Sequence, residues 1–413
     1  MKILVLGGGI IGLSSAWYLQ KAGHEIIVLD KKEFQDGCSY GNAGMIVPSH
    51  IIPLAAPGMI AKGIRWMFDA ESPFYIKPRM DLDLLRWGWL FYKSATEEKV
   101  RKAATVLRDF SWMSKRLYSE MAEQDGLEFA LKEKGILMIY QSKHGEEEEL
   151  AVAEKAKQLG IKTNQLSESE LQALEPNFKL RAKGAVHYPG DAHLSPALLM
   201  SKIKERLTSE GVHFHGGVTV NGFEKQKGKI IGVQTTKGLY RADAFVVAGG
   251  SWTPTFTRNL GLRLPMQAGK GYSFTLNNAQ PNLKHPAILS EAKIAVTPMQ
   301  SDLRFAGTME IAGLNEKINQ RRVDGILKSI PDYYPELDLV SKKPTNIWSG
   351  LRPCTPDGLP YIGKCPEYEN VLLAAGHAMM GLSLGTGTGK LIQTLIDGED
   401  IGLDINLFRV NRF

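Results

Sequence analysis

Residues 2–30 read KILVLGGGIIGLSSAWYLQKAGHEIIVLD, and the order of apolar and glycine residues in them decides the fold. The run at 3–6 is wholly apolar and stops at a glycine cluster, the pattern of a buried strand. Ile11, Ser15, Tyr18 and Leu19 then recur at helical spacing until Ala22-Gly23, and residues 25–29 form a second apolar run closed by Asp30. Strand, helix and parallel strand follow in that order. Gly7, Gly9 and Gly12 stand at the first turn as G-x-G-x-x-G. The first permits a tight turn, the second lets backbone approach a pyrophosphate, and the third lets helix and strand pack closely. The helix N-terminus adds unpaired N–H groups and partial positive charge for the phosphates. Asp30 ends the next strand where a ribose hydroxyl needs an acceptor, and its charge disfavours a 2′-phosphate. The segment predicts a bound dinucleotide.

Outward from this unit, residues 36–57 are rich in Gly, Ser, Asn and Pro and read as a site-lining loop, with 45–57 shaping a pocket. Residues 82–124 are helical in pattern, and Trp87, Trp89, Phe91, Phe110 and Trp112 read as core aromatics. A strand at 135–141 and an acidic helix at 146–158 follow. Ser167 and Glu170 form a capping box, and Ser195-Pro196 opens a helix ending at Gly211 with the serine as N-cap. Residues 212–250 read as a strand, a hairpin turning at Lys227-Gly228, and a buried strand at 244–248 that stops at Gly249-Gly250. Strands fill 265–307, a helix 315–330, and glycine-rich loops after Trp348 lead to a final helix at 388–396. A nicotinamide dehydrogenase has little need of this second glycine-rich region, Gly376 to Gly381 with Gly385, Gly387 and Gly389. It is expected to set another helix N-terminus and close backbone against the pyrimidine edge of a flavin, which points to FAD.

Composition bounds the rest. A chain of 413 residues exceeds one ordinary core, so two domains are expected. Its 50 basic and 44 acidic residues leave a net charge of +6 with no basic tract, which excludes nucleic acid as a partner. Cys38, Cys354 and Cys365 have neither disulfide nor zinc spacing, so a reducing cytoplasm and no metal are expected. Met1-Lys2 runs directly into the first strand, so no secretory leader is expected. The apolar stretch 45–61 is broken by Pro48, Pro53 and Pro57 and holds His50, so membrane contact is at most peripheral, on the inner face.

The segments at 7–12, 39–44 (SYGNAG), 270–272 (KGY), 350–363 (GLRPCTPDGLPYIG), 376–377 and the closing 408–413 (FRVNRF) lie in order along nearly the whole chain. Together they resemble the FAD-dependent D-amino-acid oxidase superfamily, nearest its bacterial D-amino-acid and D-hydroxyproline dehydrogenases. The resemblance implies an α/β protein: a discontinuous, doubly wound FAD-binding domain (1–55, 146–264, 346–413) and a mostly antiparallel α+β substrate domain (56–145, 265–345). It implies FAD contacts from Gly7, Gly9, Ile10, Ile11, Gly12, Asp30, Lys31, Asn42, Ala43, Gly44, Val218, Gly249, Gly376, Gly381 and Leu382. Arg352 would hold the substrate carboxylate, for which a planar, permanently charged guanidinium is suited. His377 would support the flavin edge or meet the substrate, and Tyr272 and Lys293 are further candidates. Covalent members carry cysteine five residues before the threonine of T-P-D; here that position is Gly350, so FAD is expected to be non-covalent.

The activity implied is hydride transfer from the α-carbon of a small D-amino acid to flavin N5, giving an imine or 2-oxo acid. Cyclic substrates such as D-proline or D-hydroxyproline are included, with electrons passing to a quinone or another respiratory acceptor. An oxygen-using oxidase of glycine or sarcosine type and a non-catalytic FAD-binding subunit are the alternatives. No histidine or carboxylate cluster marks a general base, so the pH profile should report deprotonation of the substrate amine.

Overall fold

In a computed structural model, residues 1–59, 63, 72–337, 339, 344, 346–400 and 402–413 are described. Residues 60 and 61 of the apolar stretch and residue 345 at the expected domain boundary lie outside them. The opening segment forms β1 (Lys2–Leu6), α1 (Ile10–Lys21) and β2 (Glu25–Leu29). Both strands are apolar on both sides because both faces of their sheet are covered. β1 pairs in parallel with β2 on one side and with Ala244–Val247 on the other. The six-stranded sheet runs Tyr361–Lys364, Val371–Ala375, Ala244–Val247, β1, β2, His213–His215, with only the first pair antiparallel. The chain therefore leaves β1 toward opposite sides, and a crevice opens at the carboxyl ends of the strands.

Ile3, Val5, Ile26 and Val28 pack beneath α1 and the helices Glu97–Glu123, Pro196–Ser209 and Gly385–Asp397. On the other face Leu4, Leu6 and Leu29 meet Ile230 and Val233 of a three-stranded antiparallel sheet, Val220–Gln226, Lys229–Thr235 and Gly238–Tyr240. An antiparallel ribbon thus covers the face where a doubly wound fold commonly carries helices. The hairpin turns at Lys227-Gly228, as its sequence requires.

The second sheet has nine strands and is mostly antiparallel. Its two parallel pairings join Ala287–Leu289 to Ile136–Tyr140, and Asp302–Ile311 to Phe74–Ile76. The expected division is too coarse here. Asn164–Ser167, Gly184–Tyr188 and Ile347–Cys354, expected with the FAD segments, hydrogen-bond into this larger sheet.

Several local expectations need correction. The final helix begins at Gly385, three residues early, so Gly385, Gly387 and Gly389 lie inside it rather than before it. Their role is packing. A Cβ on Gly389 would stand 2.3 Å from the Ser14 carbonyl oxygen of α1, and one on Gly387 2.8 Å from the Phe110 ring. Only glycine lets these helix backbones approach so closely. The helix expected at 315–330 is Gln320–Tyr333, because Asn315 and Lys317 close a turn instead. Ser195 precedes its helix but its side chain makes no capping bond, whereas both bonds of the Ser167 capping box form. Of the five aromatics, Trp87 and Phe110 are buried, but Trp89 is 57% and Trp112 39% exposed.

Replacing Gly389 by valine forces two helix backbones apart, and the urea midpoint should fall by an amount equivalent to about 3 kcal/mol. An unchanged midpoint would show that the terminal helix does not depend on that contact.

Candidate active site

One cavity of about 670 Å³ lies between the carboxyl end of the parallel sheet and the larger sheet. Gly7 has φ +118°, and a Cβ there would lie 2.4 Å from the Ala248 carbonyl oxygen. Gly12 approaches the Gly7 carbonyl so closely that any Cβ would overlap it. These contacts bring the N-terminus of α1 to the cavity wall. Around Gly9 the nearest atom to a Cβ would be Ser39 Oγ at 3.5 Å, so that edge of the cradle is open to a ligand. Asp30 Oδ2 accepts from Gly8 N at 2.7 Å and Oδ1 from Lys32 N at 2.8 Å, which holds the carboxylate beside the glycine turn with lone pairs to spare. A helix N-terminus, an open glycine edge and a fixed carboxylate together fit the pyrophosphate and ribose of a dinucleotide.

Gly7, Gly9, Ile10, Ile11, Asp30, Lys31, Asn42, Ala43, Val218, Gly249, Gly381 and Leu382 all line this cavity. Gly12, Gly44 and Gly376 stand behind the wall. A Cβ on Gly44 would lie 2.4 Å from the Leu194 carbonyl oxygen, and one on Gly376 2.5 Å from Thr355 Cγ2, so their small size serves packing. Lys31 Nζ sits 3.4 Å over the Trp252 ring, and burial lowers its pKa. Ser39, Trp252, Thr308 and His50 also line the cavity and were not singled out from sequence. Ser39 was within reach, since it opens SYGNAG; its Oγ accepts from Ile10 N at 2.9 Å.

The other half of the cavity is built on strand Gln267–Leu276 and its neighbours. Arg352, on Ile347–Cys354, presses its guanidinium against Gly271, where a Cβ would collide with Nη2, so the glycine of Lys270-Gly271-Tyr272 makes room for it. Between the pairs Lys270↔Glu310 and Tyr272↔Gly307 one residue faces two, a β-bulge. The bulge holds Thr308 at φ +67°, rarely adopted by a β-branched residue, and its carbonyl accepts from Arg352 Nη1. No described carboxylate pairs with Arg352; burial alone lowers its pKa, and a guanidinium remains charged.

His377 and Tyr272 line the same cavity, with His377 Nε2 and the Tyr272 hydroxyl already engaged. The Thr388 hydroxyl donates to the Leu384 carbonyl, so His377 Nε2, 2.9 Å away, donates to it. Burial takes the His377 pKa down to about 3 and keeps the ring neutral. The Tyr272 hydroxyl donates to Glu310 Oε2 at 2.8 Å and accepts from Asn319 N, and burial raises its pKa. Both residues offer the cavity a ring. Lys293 stands exposed in the cavity wall at φ +54°.

Comparison with known proteins decides what occupies the cradle. Residues 2–395 match the family model described as DAO, FAD dependent oxidoreductase. The chain belongs to this family. A D-amino acid dehydrogenase of Neisseria meningitidis is 32% identical over 421 residues, covering 99% of both chains. Among solved structures, glycine oxidase from Geobacillus kaustophilus has a TM-score of 0.79 at 21% identity, covering 100% of this chain and 98% of its own. L-proline dehydrogenase from P. horikoshii has a TM-score of 0.76 at 18% identity, covering 100% and 97%. Their likeness extends the fold across the whole chain, and the cofactor of this DAO-family oxidoreductase is FAD.

Gly350 lies in the cavity wall, and a Cβ there would run into the Trp348 ring. Cys38 is the cysteine that lines the cavity; its thiol donates to the Leu351 carbonyl at 3.2 Å, and burial raises its pKa. A protonated, bonded thiol is a poor nucleophile. Acid precipitation should therefore leave all the yellow colour in the supernatant; flavin retained in the pellet would overturn non-covalent binding.

Proposed function

We propose that this oxidoreductase dehydrogenates small D-amino acids, cyclic ones such as D-proline and D-hydroxyproline among them. The observation that carries the reading is Arg352, a half-buried guanidinium with no described acidic partner in the wall of a largely apolar cavity shared with the cofactor cradle. A substrate carboxylate is the partner it lacks, and the planar guanidinium would fix the α-carbon's orientation. The relatives named D-amino acid dehydrogenase favour the D-series. When bound, FAD supplies the acceptor for a hydride leaving the α-carbon. The chain's part is to orient the carboxylate, exclude water and leave the amine neutral. The Tyr272 hydroxyl is committed to Glu310, and burial holds His377 far below the range in which it would take a proton, so neither serves as base for that amine. The product imine hydrolyses to a 2-oxo acid, or persists when the substrate is cyclic.

Anaerobic mixing should bleach the flavin with D-amino acids and not with their L-enantiomers, and kcat/KM should rise with pH until the substrate amine is deprotonated. Arg352→Met should lower kcat/KM by roughly 100-fold or more while FAD stays bound. Bleaching by no amine would sink the dehydrogenase reading, and stoichiometric peroxide in air would favour the oxidase alternative.

The acceptor reading, a quinone reached by peripheral membrane contact, draws on the surface of helix Leu82–Ser94. Met80, Leu82, Leu85, Trp89 and Tyr92 are each more than half exposed, and 82, 85, 89 and 92 fall on one helical stripe. Arg86 and Lys93 flank it, and Lys93 Nζ lies 4.8 Å over the Trp89 ring. Aromatic and leucine side chains beside cations suit the interface of an anionic bilayer. Among the described residues no helix is long and apolar enough to cross a membrane. Replacing Leu85 and Trp89 together by serine should cut co-sedimentation with anionic vesicles by roughly 10-fold. Turnover with a soluble dye should be retained. Equal co-sedimentation of both proteins would remove this surface from the acceptor reading.

A further inference from the structure

His50 is a polar group of the cavity wall whose bonding the proposed chemistry leaves unused. His50 follows Val47, whose N–H is fixed by Ser383 Oγ at 2.9 Å, and both residues line the cavity. Behind the ring, Ser49 N donates to Asp191 Oδ1 at 3.0 Å and the Ser49 hydroxyl donates to Asp191 Oδ2. Ser49 Oγ lies 3.3 Å from His50 Nδ1. Because the serine proton is already given to the carboxylate, Oγ can only accept from Nδ1–H. The chain Asp191, Ser49, His50 therefore fixes the tautomer and leaves Nε2 as a bare acceptor. Nε2 bonds to no described residue, yet it is not among the sealed, partnerless polar atoms, so it opens on the cavity. The wall of the same cavity also carries the apolar side chains of Leu54, Phe74, Met138 and Ile288.

We propose that His50 Nε2 accepts a hydrogen bond from a hydroxyl on the substrate's side chain or ring, so that the site selects hydroxylated D-amino acids over their unsubstituted counterparts. Three features converge on this. Desolvation takes the His50 pKa down to about 4, so the ring remains a neutral acceptor through the working range. Asp191 is buried and its carboxyl is pushed up to about 7, so its ionised, accepting form prevails in mildly alkaline solution, where the substrate amine also becomes neutral. An apolar analogue entering the site strips water from Nε2 without replacing its bond, and that is the source of discrimination in sites built for a hydroxyl.

The inference rests on the D-amino-acid reading, and the test separates the two. At about pH 9, kcat/KM is measured for cis-4-hydroxy-D-proline against D-proline and for D-serine against D-alanine. The wild type should favour the hydroxylated member of whichever pair it oxidises. In His50→Leu that preference should fall about 10- to 100-fold, within the range that a lost hydroxyl contact produces. His50→Gln, which keeps a side-chain acceptor, should recover most of it. Ser49→Ala, which removes the tautomer's anchor but keeps the ring, should lose an intermediate share and tests the same point if His50→Leu does not fold. A contact to the amine or carboxylate would depress both members of a pair alike. An unchanged ratio in His50→Leu, or a wild-type ratio at or below one on both pairs, overturns the proposal while leaving D-amino-acid oxidation standing. Failure of every D-amino acid to reduce the flavin would instead bring down the parent reading.

Discussion

The fold depends on how closely backbone can approach backbone along α1. Its N-terminal turn lies on the Gly7 carbonyl through Gly12, and its middle lies against the terminal helix through Gly389 and the Ser14 carbonyl. Side chains at either point would lift the helix off the sheet or off its neighbour. With both contacts made, the helix N-terminus is carried to the crevice at the carboxyl ends of the strands, where N–H groups and partial charge await phosphates. The last helix of the chain thus clamps the first, and the cofactor cradle is set by segments from both ends of the sequence.

The second constraint is electrostatic. A guanidinium in an apolar cavity is costly unless it is bonded, and the β-bulge at Thr308 supplies a carbonyl but no negative charge. The positive φ of Thr308 adds about 1–3 kcal/mol of local strain of the kind that gathers at functional sites. Strand pairing, glycine placement at Gly271 and the strained residue all serve one side chain. The bond left unmade in the free protein is the one a carboxylate would make, so the cost falls on the ligand-free state.

The opening strand, helix and strand were legible because three signals agree there: an apolar run, a glycine turn and an acidic residue closing the second strand. Most of the residues expected at the cofactor line one cavity, Asn42, Ala43 and Gly381 among them, and these three sit in short local motifs. The terminal glycines misled because a glycine reads the same whether it yields to a ligand or to a neighbouring helix, and only the partner, Ser14, tells them apart. Trp89 and Trp112 misled for a related reason: aromatic content marks something to be covered without saying whether the protein itself covers it. The division into segments failed at 164–188 and 347–354, where the residues of a strand do not say which sheet it joins and long-range pairing decides.

Polar groups in the cavity divide by whether their bonds are already spent, and this division matters more to function than residue type. Tyr272 and His377 look catalytic in sequence, but Glu310 and Asn319 engage the Tyr272 hydroxyl and Thr388 takes the His377 Nε2–H, which holds both rings in the wall. Arg352 and His50 are held from behind, by Thr308 and by Ser49, with capacity left on the cavity side. An anchored group with one unused bond is already oriented, so its ligand loses little further entropy in meeting it. On the proposed reading, a cation and a neutral acceptor lining one largely apolar cavity suit a ligand with a carboxylate at one end and a hydrogen-bond donor at the other.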